Sequence, residues 1–351
     1  MNKCIELANK LIKNKSLEIE EYEYLIENKS EEVVDILNKE AVKLRQEVYG
    51  NDVFIRGLIE ISNICKNNCY YCGIRKSNSS CTRYRLTKDD ILSCARLGYE
   101  LGFRTFVLQG GEDPYFTDEV LIEIIKAIKD EFPDVAITLS MGERTKESYE
   151  SLWEAGADRY LLRHETANKD HYEKLHPEQM SFDNRMECLT NLKEIGYQVG
   201  AGFMVGSPYQ TSRNLAEDLK FIEEFKPDMC GIGPYISHKS TPFKNEKSGS
   251  VDQTCFLLSI IRIIHKEVLL PATTALGTMD EYGREKGILS GANVVMPNLS
   301  PDDAKAKYEL YDNKIHSGLE AAENLKQLDE RFKKIGYKIA ISRGDIKKGS
   351  K

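Results

Sequence analysis

The sequence predicts an α/β fold, a closed (β/α)8 TIM-type barrel with an N-terminal helical extension and a C-terminal helical tail. Short apolar runs alternate eight times with amphipathic stretches, as parallel strands alternate with helices. The alternation fills about 250 residues without a proline-rich linker, the usual size of such a barrel. Glycine, charged and hydroxyl residues cluster where the strands end. We therefore divide the chain into the extension (1–50), the barrel (51–316) and the tail (317–351).

The extension carries apolar residues at three- and four-residue spacings, among them Leu25, Val33, Ile36 and Leu37. This spacing predicts two or three helices that pack against the barrel. The tail is rich in charge and is predicted to be helical, with a basic run at 347–351.

The barrel elements follow in a regular order. Strands are predicted at 54–62, 105–109, 135–140, 158–163, 198–205, 229–235, 269–275 and 293–296. Helices are predicted at 117–130, 148–155, 182–195, 215–225 and 255–266, and a further helix begins after Thr87, a good N-cap followed by acids.

Composition limits the partners and the compartment. The 351 residues carry a net charge of −7, which argues against nucleic acid or an anionic membrane as a partner. No apolar run reaches about 18 residues, so no membrane span is expected. Nine cysteines at irregular spacings do not form a disulfide framework, and we expect a cytoplasmic location.

Three of these cysteines, Cys65, Cys69 and Cys72, directly follow the first predicted strand. Structural zinc sites and ordinary ferredoxin clusters use four protein ligands. The next cysteine is Cys81, and the next histidine is His164. A metal cluster with one open coordination position explains three close ligands better than a zinc knuckle or three unrelated thiols.

Charged residues at the strand ends suggest how a ligand is held. Arg163 and Glu165 are two residues apart and so lie on one side of a strand, either as ligand contacts or as an internal ion pair. Arg185, near the start of a helix, is either a carboxylate ligand or a surface residue. His164 points the other way and is predicted to be structural.

Arg56 lies within the first apolar run, where we expect it to face the barrel interior and to bind an anion at the floor of the cavity. Thr273 and Thr274 are neighbours on a predicted strand, so only one side chain faces inward. Their backbone N–H groups add to the anion site.

The spacing C-x-x-x-C-x-x-C, with Tyr71 before the last cysteine, resembles the signature of the radical S-adenosylmethionine (SAM) superfamily. Gly110, Gly111 and Glu112 match its glycine-rich motif, where backbone carbonyls accept hydrogen bonds from the SAM amino group. The resemblance implies a single [4Fe–4S] cluster on three thiolates, with SAM on the fourth iron. Electron transfer then cleaves SAM to a 5′-deoxyadenosyl radical.

A closer resemblance is to the HydE family of [FeFe]-hydrogenase maturases. It extends over residues 54–311 and rests on segments 61–75, 108–115, 160–168, 231–235, 271–275 and 291–298. It implies that Arg163, Glu165 and Arg185 contact SAM and that Tyr308 lies near the adenosyl group. By the same resemblance, the internal cavity is lined by Arg56, Gln109, Thr138, Arg159, Thr273, Thr274 and Tyr311.

The resemblance also implies a function. The radical attacks the sulfur of a cysteine-bound Fe(CO)2(CN) unit, during assembly of the diiron subcluster of the hydrogenase H-cluster. Companion maturases and an electron donor are the implied partners, and the substrate is a small anionic organometallic complex. Some family members carry a second cluster on C-terminal cysteines. Here no cysteine follows Cys255 and His316 stands alone, so we do not expect a second cluster.

Three alternatives remain. A methylornithine synthase-like radical SAM mutase would bind an amino acid and needs acids in its cavity, where we expect Arg56 and Arg159 instead. Biotin synthase needs a second cluster inside the barrel, and the inward strand positions lack cysteines. A non-catalytic iron–sulfur sensor or scaffold would not need glycines and arginines at the strand ends.

Overall fold

The strands are short and parallel in the computed structural model, which describes residues 3–315, 318 and 322–347. In chain order they are β1 Asp52–Ile55, β2 Gly57–Ser62, β3 Thr105–Gly110, β4 Ala136–Ser140, β5 Arg159–Leu161, β6 Gln198–Ala201, β7 Met204–Val205, β8 Met229–Cys230, β9 Gly233–Pro234, β10 Val294–Val295 and β11 Lys338–Ala340. Every pairing between these strands is parallel.

The ring closes through one sheet and three single bridges. Six strands pair in the order β2-β3-β4-β5-β6-β8. The bridges Met229–Leu269, Pro271–Val294 and Leu58–Asn298 then lead from β8 back to β2. Eight strand positions therefore form a closed barrel, which confirms the predicted fold class.

The helices surround this ring. In chain order they are α1 Lys3–Asn14, α2 Ile19–Asn28, α3 Glu31–Tyr49, α4 Lys88–Glu100, α5 Asp118–Glu131, α6 Lys146–Glu154, α7 Lys169–Leu175, α8 Phe182–Ile195, α9 Ser212–Phe225, α10 Val251–Ile264, α11 Thr274–Met279, α12 Gly283–Leu289, α13 Asp302–Lys305 and α14 Leu325–Lys334. Among the described helices, none is both long and apolar enough to cross a bilayer.

Several helix starts are fixed by local chemistry. A hydroxyl side chain accepts the N–H of the third helical residue at Thr87, Thr117, Ser181 and Ser250, which satisfies one of the free donors of the first turn. The predicted helix 182–195 has the bounds of α8. The extension forms the three helices α1 to α3, as predicted.

Four predicted strands are wrong in detail. The runs 198–205 and 229–235 each break in two, into β6 and β7 and into β8 and β9, and β7 pairs with β9 in a separate two-stranded sheet. The run 54–62 breaks at Arg56, because β1 pairs with β10 and β11 whereas β2 pairs with β3. The run 269–275 forms only the bridges of Leu269 and Pro271, since proline lacks the N–H that a ladder needs and Thr273 is the N-cap of α11.

The prediction of a helical tail is only partly right. After α14 the chain forms β11, which pairs with β1 of the barrel. Leu328 and Phe332 of α14 belong to the same buried core as the barrel residues. His316 and residues 348–351, on which sequence-based expectations were stated, lie outside the described residues.

Beyond β11 the tail reaches the floor of the barrel. Arg159, the first residue of β5, donates from Nη2 to Asp345 Oδ1 at 2.5 Å and to the Arg343 carbonyl at 2.8 Å. Its Nη1 donates to Thr105 Oγ1 at 3.0 Å. Burial raises the pKa of Asp345, but the bonds from Arg343 and Arg159 outweigh burial and hold it below its ordinary range. The tail therefore neutralises a buried arginine.

We expect the Asp345→Ala substitution to lower the free energy of unfolding by about 1 to 2 kcal/mol at neutral pH. The substitution removes the carboxylate that pairs with the buried Arg159. The destabilisation is smaller than for a fully buried ion pair, because Asp345 is partly exposed to solvent. Urea unfolding of the ligand-free chain measures it.

Because the folded pKa of Asp345 is depressed, the difference from the parent chain should be complete above about pH 4 and vanish as the pH falls through the folded value. Asp35→Ala on the exposed face of α3 is the control, with little change expected. Equal stability of the Asp345 variant and its parent would contradict the role assigned to the tail.

Candidate active site

A cavity of about 360 Å³ lies at the carboxyl ends of the strands. This end holds the active sites of parallel barrels, and the volume is in the range of small-molecule sites. Its wall brings together residues distant in sequence. Those singled out from the sequence are Cys65, Cys69, Tyr71, Cys72, Gln109, Gly110, Gly111, Glu112, Arg163, Glu165, Arg185, Thr273, Thr274, Tyr308 and Tyr311.

The three cysteines lie on the loop after β2, and each is a free, half-buried thiol that faces the cavity. Among the described residues, no three His, Cys, Asp or Glu side chains converge on a single ion. Thiolates that each bind a different iron of a cluster do not need to converge on one ion. Three thiols on one loop that face the same cavity therefore fit a cluster with three protein ligands.

Burial controls the protonation of these thiols. It raises the pKa of Cys72 to about 12, and burial with repulsion from Cys72 and Cys65 raises the pKa of Cys69 well above its ordinary value. The thiols of the ligand-free chain are thus protonated, and iron must displace these protons when it binds.

Arg83 holds the cysteine loop in shape. Its Nη1 donates to the carbonyls of Asn63 and Ile74, and its Nη2 donates to the carbonyl of Arg75 at 2.6 Å and to that of Asn78 at 3.3 Å. Sequence reasoning missed this residue. The sequence offered only a weak indication of this role, namely an arginine in a stretch without acidic residues.

The glycine motif packs against the same loop. A Cβ atom on Gly111 would lie 2.3 Å from the Ile64 carbonyl oxygen and 2.8 Å from Cys65 Cβ. Gly111 N donates to the Ser62 carbonyl at 3.0 Å, and Lys66 N donates to the Glu112 carbonyl at 2.9 Å. Because Gly111 has no side chain, its backbone can pack closely against the cysteine loop.

Arg163 and Glu165 face the cavity together. Arg163 Nη2 lies 3.0 Å from Glu165 Oε2, but the geometry is that of an ion pair without a hydrogen bond, so both atoms keep hydrogen-bonding capacity. Glu165 has a φ of 65°, a strained conformation for this residue that is common at functional sites. Both side chains are available to a ligand with a carboxylate and hydroxyl groups.

Arg185 holds the backbone of this pair in place. Its Nη1 donates to the Arg163 carbonyl at 2.6 Å, and its Nε donates to Glu143 Oε1 at 2.5 Å. The side chain is buried and lines the cavity. The surface position considered from the sequence is therefore wrong, and Glu143 is a partner that sequence reasoning did not assign.

His164 is structural, as predicted. Its Nδ1 accepts a hydrogen bond from Gly202 N, and its Nε2 lies 3.3 Å from Asp218 Oδ1. Burial lowers the pKa of His164 to about 3, so the ring is neutral. His176, which had no predicted role, accepts a hydrogen bond from the Tyr71 hydroxyl at 3.1 Å while its Nδ1 donates to a backbone carbonyl.

The segment that follows α13 covers one side of the cavity with Tyr308 and Tyr311. A buried ion pair fixes it, since Lys314 Nζ lies 2.6 Å from Glu60 Oε1 of β2. Asn298 donates to the other carboxylate oxygen of Glu60 at 2.9 Å. The sequence analysis assigned no role to Glu60 or to Lys314.

The residues predicted to line one cavity divide between two. Gln109, Thr273, Thr274 and Tyr311 line the main cavity, whereas Arg56, Thr138 and Arg159 lie around a small space nearer the barrel floor. Met229 borders both spaces. The charge of Arg159 is already matched by Asp345, so it is not a free anion ligand in this structure. Both threonines face the main cavity, because they start a helix and do not alternate along a strand.

Comparisons with known proteins bear on the family of the chain. Residues 59–222 match the model of the radical SAM superfamily. The chain is 48% identical over 281 residues to the [FeFe] hydrogenase maturase subunit HydE of Thermotoga maritima, and the match covers 80% of each chain.

Two solved structures share the fold. A methylornithine synthase, PylB, has a TM-score of 0.83 at 27% identity over 95% of this chain and 97% of that chain. The FeFe-hydrogenase maturase HydG of Carboxydothermus hydrogenoformans has a TM-score of 0.81 at 21% identity over 96% and 82%. Because 48% identity over four fifths of both chains far exceeds the identity to the methylornithine synthase, the chain belongs to the HydE family of radical SAM hydrogenase maturases, enzymes that use a [4Fe–4S] cluster and SAM.

Proposed function

We propose that the substrate is a small anionic iron complex, a cysteine-bound Fe(CO)2(CN) unit, which the enzyme processes during assembly of the diiron subcluster. When bound, the cluster and SAM supply a 5′-deoxyadenosyl radical. The protein side chains bind and orient the reactants and exclude water. Companion maturases deliver the complex or receive the product, in line with the maturase names of the relatives.

The observation that carries this proposal is the state of Arg56. Its side chain is 1% exposed, and its Nε and Nη2 make no hydrogen bond to any described residue. Its Nη1 contacts only the thioether sulfur of Met229, at 2.7 Å. Burial, with repulsion from Arg159, lowers the pKa of Arg56 well below its ordinary value. A buried arginine in this state is stabilised by an anion.

Other buried arginines do not share this state. Arg262 donates to the carbonyls of Gly291 and Lys266 and to the side chain of Asn293. The hydroxyl of Thr138, beside Arg56, also makes no hydrogen bond to a described residue. Unused donors of Arg56 and Thr138 thus face one small space of about 10 Å³, which Asp228 also lines, so a substrate anion reaches them only if Met229 moves aside. The thioether of Met229 is the flexible side chain between this space and the main cavity.

SAM binding falls to the residues around the cysteine loop. In this assignment, Arg163 and Arg185 bind the carboxylate of SAM and Glu165 accepts hydrogen bonds from its ribose hydroxyls. Tyr308 lies beside its adenosyl group. The ion pair that leaves hydrogen-bonding capacity on both Arg163 and Glu165 supports this assignment. Glu112 and the carbonyls of Gly110 and Gly111 are assigned to its amino group.

The charge of the cavity disfavours the mutase alternative. A diamino acid substrate needs carboxylates for its ammonium groups. Each carboxylate of the wall lies beside a cation, Glu60 beside Lys314, Glu112 beside Lys66 and Glu165 beside Arg163, so none adds a net negative charge for a second ammonium group. Among the described residues, Arg56 beyond Met229 makes no ion pair and keeps unused donors, which favours an anionic substrate.

The Arg56→Met substitution tests the proposal. We expect hydrogenase activation in an assay with the companion maturases to fall at least about a hundredfold, because removing the charged partner of a buried ion costs several kcal/mol of binding. SAM cleavage without substrate should stay within about threefold of the parent, since Arg56 lies outside the proposed SAM contacts. Deoxyadenosine formation measures the second rate.

Arg56→Lys is the conservative control and should recover part of the activation, since lysine keeps the charge but loses the planar fork. Activation by Arg56→Met at the parental rate would contradict the proposed anion site. Turnover of lysine by the parent chain, without activation of hydrogenase, would favour the mutase instead.

A further inference from the structure

The end of α7 and its connection to α8 hold the middle of the cysteine loop. The Leu175 carbonyl accepts a hydrogen bond from Tyr70 N at 3.0 Å. Met180, just before α8, places its Sδ 3.6 Å from the Sγ of Cys69. Two consecutive residues of the loop are thus held by one segment. We call this segment, residues 175–180, the clamp.

The next residue of the loop, Tyr71, donates a hydrogen bond to the clamp. His176 Nδ1 lies 2.9 Å from the Tyr172 carbonyl oxygen, which can only accept, so this nitrogen carries the ring proton. Burial lowers the pKa of His176 to about 3, so the ring is neutral and its Nε2 is an acceptor. The Tyr71 hydroxyl, 3.1 Å from that Nε2, is therefore the donor.

The imidazole of His176 is fixed on several sides. The residue is buried, and both of its ring nitrogens are engaged in hydrogen bonds. Its ring stacks on that of Tyr172 with centroids 3.9 Å apart, and the ring of Tyr71 meets it edge-on at 5.4 Å. His176 therefore holds both the hydroxyl and the ring plane of Tyr71.

Tyr71 is the residue through which this contact reaches the main cavity. It lines that cavity together with Cys69 and Cys72. Burial and the charge of Glu165 raise the pKa of Tyr71, whereas the charge of Arg185 lowers it, so both charged side chains lie near its hydroxyl. A ligand that reaches both the cluster and these side chains is therefore brought beside the ring of Tyr71.

We propose that His176 is a positioning residue for SAM. Through the Tyr71 hydroxyl it holds the tyrosine ring in the orientation that packs against the adenine of SAM. The energy of a contact between two aromatic rings depends on their relative orientation. Without His176 the buried hydroxyl loses its acceptor and turns towards another partner, which moves the ring. The inference rests on the assignment of SAM to this cavity under the proposed function.

The test measures the affinity of SAM for the reconstituted holoenzyme by anaerobic equilibrium dialysis, without turnover. We expect His176→Leu to weaken SAM binding about threefold to tenfold, the range of one aromatic contact. Iron and sulfide content should match the parent, because the contacts of Leu175 and Met180 with the loop remain. Tyr71→Phe removes the hydroxyl, so adding His176→Leu to it should weaken binding no further.

Two variants serve as controls. His176→Gln keeps a side-chain acceptor for the Tyr71 hydroxyl and should bind SAM more tightly than His176→Leu. His265→Leu replaces a histidine at the end of α10 that does not line the cavity, and it should bind SAM as the parent does. Both leucine variants lose an imidazole, so a general loss of stability does not distinguish them.

Unchanged SAM affinity in His176→Leu would overturn the proposal, as would losses of His176→Leu and Tyr71→Phe that simply add. Binding by His176→Gln as weak as by His176→Leu, or an equal loss in His265→Leu, would do the same. Loss of iron in His176→Leu would mean that the clamp serves the cluster instead of SAM. A parental holoenzyme that binds no SAM rejects the assignment of SAM itself, a result distinct from all the others.

Discussion

The Cys69→Ser substitution is expected to abolish SAM cleavage, with a loss of at least about a hundredfold. Mutation of a residue that only hydrogen-bonds to a metal ligand already lowers metal affinity or activity by about 10- to 100-fold. Cys69 is itself one of the three proposed ligands, so its loss should cost more. Its hydroxyl is a poor replacement for a thiolate that binds iron. Iron and sulfide content after anaerobic reconstitution, and the electron paramagnetic resonance signal of the reduced cluster, measure the loss directly.

Cys81→Ser is the matched control. Cys81 follows the cysteine loop in the chain and is half-buried, with its sulfur 3.5 Å from Asn63 Nδ2, but it does not line the cavity. We expect this variant to keep its cluster and its rate of SAM cleavage. Loss of the cluster in the Cys81 variant, with retention in the Cys69 variant, would require a different ligand set.

The Gly111→Ala substitution should have the second largest effect, a loss of about tenfold to a hundredfold in SAM cleavage. The new methyl group would meet the Ile64 carbonyl at 2.3 Å, and a backbone atom cannot rotate away as a side chain does. The cysteine loop must therefore move, which displaces Cys65. Displacements of about 1 Å at an active site cost up to about a hundredfold in rate. Cluster content should fall in parallel.

Gly110→Ala separates two explanations of the glycine motif. A Cβ there would lie 3.3 Å from both the Met141 Cε and the Ser62 carbonyl, a tight but tolerable approach. We expect normal cluster content and a milder loss of rate than for Gly111. If Gly110→Ala binds its cluster normally but loses as much activity, the motif serves the ligand more than the loop.

The barrel could be predicted because its signal is periodic and repeated. Helix 182–195 has a serine N-cap at one end and Gly196, with a φ of 110°, at the other, so local chemistry fixes both boundaries. The stretch 269–275 was predicted wrongly since its apolar residues are buried whether or not a ladder forms. The three-residue strand β11 was missed because its pairing with β1 depends on residues almost 300 positions away.

The site was predictable where function places unusual residue types together, as in the cysteine loop and in Arg163 to Glu165. The site was not predictable where it depends on which acidic and basic side chains pair in the folded chain. Nothing in the local sequence indicates that Asp345 reaches Arg159, or that Lys314 reaches Glu60. Those pairings leave Arg56 without an ion pair among the described residues, and the closed barrel brings the partners together.

The position of β1 between β10 and β11 has a consequence for biogenesis. The first strand of the chain pairs with partners from its far end, and Arg159 forms its ion pair with Asp345. The ribosome must therefore translate residues 338–345 before the floor can seal, at about 5 to 20 residues per second. Until then, β1 lacks one of its two neighbours and Arg159 lacks the Asp345 carboxylate, so the floor is the last part of the barrel to be completed.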